Sequence, residues 1–157
     1  MRVTAKVDYA VRAAVELARV APDDGTAPRP LKGQQVAAAQ AIPPKFLENI
    51  LAELRRSGIV GSMRGAEGGY WLTRRPEQVS IADIIRAVEG PLADVRGVRP
   101  ESLDYGDDLE VLQRTWIAVR ANLRGVLEHV TLADLVAGTL EPEIDALAED
   151  DDSWATR

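Results

Sequence analysis

Between positions 32 and 56 the chain is rich in helix-forming apolar residues, yet it cannot be a single helix. Ala41-Ile42-Pro43-Pro44 lies in the middle of the stretch, and proline is tolerated only in a helix's first turn. A short helix over residues 32–40, built around Val36 and the alanines, must therefore end there. A second helix starts near Pro44. Phe46, Leu47, Ile50, Leu51 and Leu54 form its buried stripe, while Lys45, Glu48, Asn49, Ala52 and Arg56 point away from it. Gly58 supplies the stop.

The flanking segments complete a recognisable order. Upstream, Val7, Ala10, Val11, Ala14, Leu17 and Ala18 recur three or four apart, which predicts a helix with one buried face, closed by a loop over residues 22–30. Downstream, two extended runs over residues 59–63 and 70–73 are joined by Arg64-Gly65-Ala66-Glu67-Gly68-Gly69, a hairpin with a basic-edged tip. Ser80-Ile-Ala-Asp83 reads as a helix start, and Ile81, Ile84, Ile85 and Val88 give that helix an apolar face ending at Gly90. Helix, helix-turn-helix, hairpin and helix is the order of a winged helix-turn-helix.

Residues 91–108 lack periodicity and carry Pro91, Gly97, Pro100 and Gly106, so they read as a long loop. Beyond it Leu109, Leu112, Trp116, Val119, Leu123 and Val126 follow a 3-4 heptad seam, suited to packing along a partner helix. Thr131-Leu-Ala-Asp134 repeats the helix-start chemistry of Ser80, and Gly138 closes the short helix after it. The expected organisation is a winged helix-turn-helix over 1–90, a loop over 91–108, a dimerisation helix with a short helix over 109–138, and an acidic, flexible tail over 139–157. The fold class is mainly α with a small β-hairpin.

Charge is divided unevenly. Residues 1–79 hold 12 Lys+Arg against 8 Asp+Glu, and residues 80–157 hold 7 against 17. A basic half joined to an acidic half fits a DNA-facing module tethered to a segment kept away from DNA. No run of about 18 apolar residues is present, so no membrane partner is expected and the chain reads as cytoplasmic. Cysteine is absent, which removes disulfides and thiolate chemistry. Neither a Gly-rich phosphate loop nor a nucleophile elbow occurs, so the chain is not read as an enzyme.

The chain resembles the Rrf-two family of bacterial regulators, the IscR/NsrR/CymR type, from Met1 to about Leu135. The resemblance is carried by Met1-Arg-Val-Thr-Ala-Lys-Val-Asp-Tyr-Ala10, Ile42-Pro-Pro-Lys-Phe-Leu-Glu-Asn-Ile-Leu51, Leu54-Arg-Arg-Ser-Gly-Ile-Val60, Arg64-Gly-Ala-Glu-Gly-Gly-Tyr70 and Ile81-Ala-Asp-Ile-Ile-Arg-Ala-Val-Glu-Gly-Pro91. It implies a homodimer formed through the long C-terminal helix and DNA contacts on Pro43, Lys45, Glu48 and Arg64. Many members sense their signal through an iron–sulfur cluster held by cysteines in the loop before that helix. Residues 92–108 contain none, so no cofactor is expected. A ligand that cluster sensors draw from the other subunit would match Asp8 in some, and in others would match Arg12 or lie in the loop, but Asp8 and Arg12 are also spaced as a surface ion pair.

The candidate DNA-contacting set is Arg2, Lys6, Pro43, Lys45, Glu48, Asn49, Arg64, Gly65, Gly68 and Gly69, with the glycines read either as turn residues or as points of close backbone approach. The implied partners are double-stranded DNA and a second copy of the chain; the regulatory input is left open between a small molecule, a partner protein and nothing beyond the abundance of the protein itself. A winged-helix interaction module that no longer binds DNA is the alternative, motivated by the net charge of -6. The two separate on whether Arg2, Lys6, Lys45 and Arg64 share one face. His129, the only histidine, reads as a surface or cap residue. Trp71 reads as a packing residue or a contact to the 92–108 loop, a ligand or DNA. That loop itself reads as a flexible connector in preference to the lid of a ligand pocket, being rich in charge and poor in aromatic residues.

Overall fold

The computed structural model describes residues 2–22 and 28–155. The middle of the 22–30 loop therefore lies outside the described residues. Helix α1 (Ala5–Arg19) begins where the Thr4 hydroxyl accepts from the Val7 amide at 3.2 Å. It buries Val7, Ala10, Ala13, Ala14, Leu17 and Ala18, and the small alanines let α2 (Gly33–Gln40) and α3 (Pro44–Arg56) pack close against it. The break between α2 and α3 is a left-handed Ala41 (φ 51°) followed by Pro43 in extended conformation and Pro44 at the first helical position. The Asp8–Arg12 pair forms at 3.1 Å. Arg12 continues from it to cap the end of α2 through the Gln40 side chain at 3.1 Å and the Gln40 carbonyl.

The wing is a two-stranded antiparallel hairpin, β1 (Val60–Met63) and β2 (Gly69–Leu72), with Gly61 opposite Trp71. Leu31 adds a bridge to Tyr70, its amide donating at 2.9 Å and its carbonyl accepting at 2.8 Å. The half-buried Trp71 indole lies over Gly61, where a Cβ would meet the ring at 2.6 Å. Trp71 is thus a packing residue across the hairpin.

Helix α4 (Ile81–Glu89) starts with the predicted capping box, Ser80 and Asp83 exchanging hydrogen bonds at 3.2 and 3.3 Å. Helix α6 (Leu132–Ala137) starts the same way from Thr131 and Asp134. The two starts lie side by side, bridged by the Ile81 amide to the Val130 carbonyl and the Leu132 amide to the Val79 carbonyl, both 2.9 Å. Leu132 is fully buried in the core formed by α1, α3 and α4. The short helix expected to belong with the dimerisation helix therefore returns to the winged-helix core.

Helix α5 (Glu110–Leu127) has no buried residue of its own, and Leu127 at its end packs half-buried against that core. The loop before it has more structure than its composition suggested. Leu92, Pro100 and Leu103 are buried, Val95 and Val98 form a bridge, and Pro100–Ser102 and Asp107–Leu109 are single 3-10 turns. The Gln113 amide nitrogen on α5 donates to the carbonyls of Pro100 at 3.2 Å and of Leu103. Such anchoring replaces the expected connector with a folded segment. The acidic end likewise carries helices, α7 (Pro142–Glu149) and α8 (Asp151–Trp154), with Ile144 buried.

Candidate nucleic-acid interface

Helix α3 turns Leu47, Ile50, Leu51 and Leu54 into the core and leaves Pro43, Lys45, Glu48 and Asn49 exposed. A helix presents such a set on one side because residues three and four apart are neighbours on its surface. Arg64 and Gly65 are exposed at the wing tip. Among the described residues Lys45, Glu48, Asn49 and Arg64 have no side-chain hydrogen bond or ion pair within the chain. These are the donors and acceptors suited to phosphates and base edges: lysine and arginine for phosphate or guanine, asparagine for adenine, glutamate for a cytosine amino group.

A cleft of about 500 Å³ separates α3 from the wing, lined by Lys32, Gln34, Pro44, Glu48 and Tyr70 among others. Lys32, absent from the predicted set, lines it. Its ammonium donates to the Gly65 carbonyl at 3.0 Å and to the Ala66 carbonyl, tying the wing tip to the start of α2. A link spanning 33 residues leaves no periodic trace in the sequence.

Several predicted contacts are placed otherwise. Gly68 and Gly69 are buried. A Cβ on Gly68 would sit 2.2 Å from the Met63 carbonyl oxygen, and one on Gly69 would sit 2.5 Å from that of Leu31. Gly68 is required by the hairpin's own closure, and Gly69 by the close approach of Leu31 to the second strand. Lys6 is half-buried, paired with Glu53 at 2.8 Å and bonded to the Val88 carbonyl, so its charge is spent within the fold. Arg2 is exposed beside Trp116 and Glu89, at the mouth of a different cavity. The four cations do not share one free face; of them Lys45 and Arg64 remain without a partner among the described residues. Phe46, expected in the core, is 54% exposed and packs edge-on against Tyr9 with centroids 6.3 Å apart.

The segment between α4 and α5 walls two further cavities. One, of about 530 Å³, is lined by Val3, Val7, Ile85, Leu92 and Trp116. The Trp116 indole nitrogen is buried there without a partner, and packing on this side half-buries Leu112, Trp116, Leu123 and Val126 within a single chain. The predicted seam is thus partly covered by its own chain. The other, of about 180 Å³, is lined by Arg86, Asp94, Arg99, Arg120 and Arg124. Glu128 joins α4 to α5 by receiving Arg86 and, at 3.0 Å, Arg124. Hydrogen bonds from Arg124 and then Arg86 hold its carboxyl down at about 2. His129 is exposed at the end of α5, its amide donating to the Val126 carbonyl at 3.2 Å.

The donor set does not fit an iron–sulfur cluster. Such clusters need thiolate or comparably soft ligands; the sequence has no cysteine, and Asp8 is committed to Arg12. Among the described residues no three His, Cys, Asp or Glu side chains converge as metal ligands.

A family model described as Rrf2, iron-dependent transcriptional regulator, matches residues 3–138. A Mycobacterium tuberculosis protein provisionally named HTH-type transcriptional regulator Rv1287 is 47% identical over 150 residues, covering 96% of this chain and 90% of its own length. The HTH-type transcriptional regulator CymR of Bacillus subtilis is 34% identical over 139 residues, covering 88% and 92%. The solved structure of the B. subtilis global cysteine regulator CymR superposes with a TM-score of 0.70 at 31% identity, covering 88% of this chain and 98% of that one. Fold, helix-turn-helix and relatives agree: the chain belongs to the Rrf2 family of transcriptional regulators, as a member without cysteine.

Proposed function

We propose that the protein acts as a homodimer on a two-fold operator, reading bases with the start of α3 and holding the duplex with the wing. The observation that carries this reading is the set Lys45, Glu48, Asn49 and Arg64, exposed at the start of α3 and at the wing tip and without a hydrogen-bond or ion-pair partner among the described residues. A major groove about 12 Å wide accepts one helix, and the exposed side of α3 is that helix. Arg64 reaches the neighbouring minor groove or its phosphates. Half-sites then lie about 34 Å apart, or a multiple of it.

Dimerisation is assigned to the outward side of α5. Val111, Ala118, Ala121 and Gly125 are exposed and recur at heptad-like intervals of seven, three and four, flanked by the exposed Ile117 and Val119. Small side chains permit close approach of a second helix, and Gly125 has nothing within 4 Å of an added Cβ. A monomer would leave this apolar surface in water. The seam residues Leu112, Trp116, Leu123 and Val126 brace this helix from behind. DNA binding in this reading involves no iron–sulfur cluster, because the donor set for one is lacking.

Operator selection from a random duplex library, followed by gel-shift titration, tests the proposal. Glu48→Ala is expected to relax preference at one base pair by about 1–3 kcal/mol, and Lys45→Ala to weaken all sequences alike. Wild-type affinity and preference in both variants would refute the assigned surface.

A further inference from the structure

The 180 Å³ cavity collects guanidinium groups from three parts of the chain: Arg86 on α4, Arg99 in the loop, and Arg120 and Arg124 on α5. Four arginines seldom converge unless something anionic balances them, since like charges at close range repel. The chain supplies part of that balance. Glu128 receives Arg86 and Arg124 through a single carboxylate oxygen, and Glu101 receives Arg120. Asp94 lines the cavity but accepts from the Gly97 amide at 2.7 Å. Asp83 stands 3.8 Å from Arg86 and is shared with Arg74 at 3.6 Å. Arg99 has no ion pair among the described residues.

Counting Arg74 with the four lining arginines against Asp83, Asp94, Glu101 and Glu128, one positive charge is left over. Donors are in greater surplus than charge. Arg86, Arg120 and Arg124 each give one hydrogen bond to a carboxylate, and Arg99 gives none. A guanidinium carries several N–H groups in a planar fork that matches phosphate oxygens two at a time. The depressed carboxyl of Glu128 reports the same positive surroundings.

We propose that this cavity is a binding site for a small phosphate-bearing anion, held by Arg99 together with Arg86, Arg120 and Arg124. A volume of about 180 Å³ admits inorganic phosphate or a phosphomonoester of a few carbons. The site joins the winged-helix core, through α4, to α5. An occupant bonded to both helices fixes the angle between them, and with it the separation of two DNA-reading units in a dimer. That regulatory consequence rests on the dimeric DNA-binding reading; the site itself does not.

The test begins without DNA. Thermal melts of the full chain are recorded in inorganic phosphate and in glycerol phosphate, against chloride at matched ionic strength. A saturable rise of about 5–10 °C is expected at a hundredfold excess over Kd. Inorganic phosphate acting alone would identify the free anion, and glycerol phosphate acting more tightly would identify an ester. Arg99→Gln removes no native ion pair, so it should fold as wild type by circular dichroism and lose the shift. Arg120→Gln should lose it as well. Operator affinity is then titrated with and without phosphate at the same ionic strength, with a change of about fivefold or more expected in wild type and none in Arg99→Gln. No saturable shift in wild type, or an equal shift in Arg99→Gln, overturns the site. A shift without any change in operator affinity overturns the coupling. Failure to bind the operator in chloride would instead refute the DNA-binding reading and leave the melts to decide the site.

Discussion

Leu132→Ala separates two views of how the C-terminal half is attached. If α6 were part of an independent dimerisation unit, the substitution would spare the winged-helix core. Leu132 instead has no exposed surface and packs in the same cluster as Leu17, Leu54 and Ile84. Removing such a side chain forfeits its transfer free energy and leaves a cavity that closed packing cannot fill, a loss of about 3–5 kcal/mol. For a chain of this length each kcal/mol lowers Tm by about 2–4 °C, so a fall of roughly 6–20 °C is expected. Leu140→Ala, at a residue 38% exposed, serves as the control and should stay within about 0.5 kcal/mol. Urea unfolding is followed by far-ultraviolet circular dichroism at one fixed protomer concentration, since dimer stability depends on concentration. A single transition with its midpoint lowered supports the shared core. A loss below about 1 kcal/mol, or two transitions of which only one moves, would refute it.

Three further outcomes are expected. Gly68→Ala should destabilise the fold by about 1–3 kcal/mol, because its Cβ meets the Met63 carbonyl at 2.2 Å; an unchanged Tm with weakened operator binding would mean that DNA, not the hairpin, demands the glycine. Glu128→Gln should lower Tm by a constant amount above about pH 5. The gap should narrow as pH falls from the usual carboxylate value of 4.5 through about 2, where the wild-type carboxyl also becomes neutral. A gap that persists or widens in acid, followed by thermal melts, would show that the Arg86 and Arg124 pairs are not its source. Ala118→Glu places a charge on the outward side of α5 and should give monomers at micromolar concentration in sedimentation; an intact dimer there, with a monomer from Leu112→Glu, would return the interface to the predicted seam.

The helix-turn-helix was legible because its determinants are local. Pro43 and Pro44 break the helix chemically, and Leu47, Ile50, Leu51 and Leu54 repeat with the helical period. Both capping boxes were legible for the same reason, as was the hairpin from its glycines. What escaped depends on distant chain. Lys6 reads as a free cation until Glu53 and Val88 are brought to it, and Lys32 reads as a helix start until the wing tip folds over it. Phe46 fits the apolar stripe by period but lies at its edge, where Tyr9 covers only part of the ring. The seam on α5 was read correctly as apolar, but periodicity does not tell which neighbour an apolar face meets. Leu132 sits on a helix of six residues, too short for a periodic signal, and its place in the core comes from tertiary packing alone.

Lys45 and Arg64 are free to meet phosphates, while Lys6 is held by Glu53 and the Val88 carbonyl. Operator affinity measured against salt concentration for wild type and for each of the three lysine or arginine to alanine variants tests this directly. Each phosphate contact contributes about 0.9 to the slope of log affinity on log salt. The slope should fall by about one unit in Lys45→Ala and in Arg64→Ala and stay unchanged in Lys6→Ala. Loss of slope in Lys6→Ala, with Lys45→Ala and Arg64→Ala matching wild type, would contradict the interface drawn from this structure.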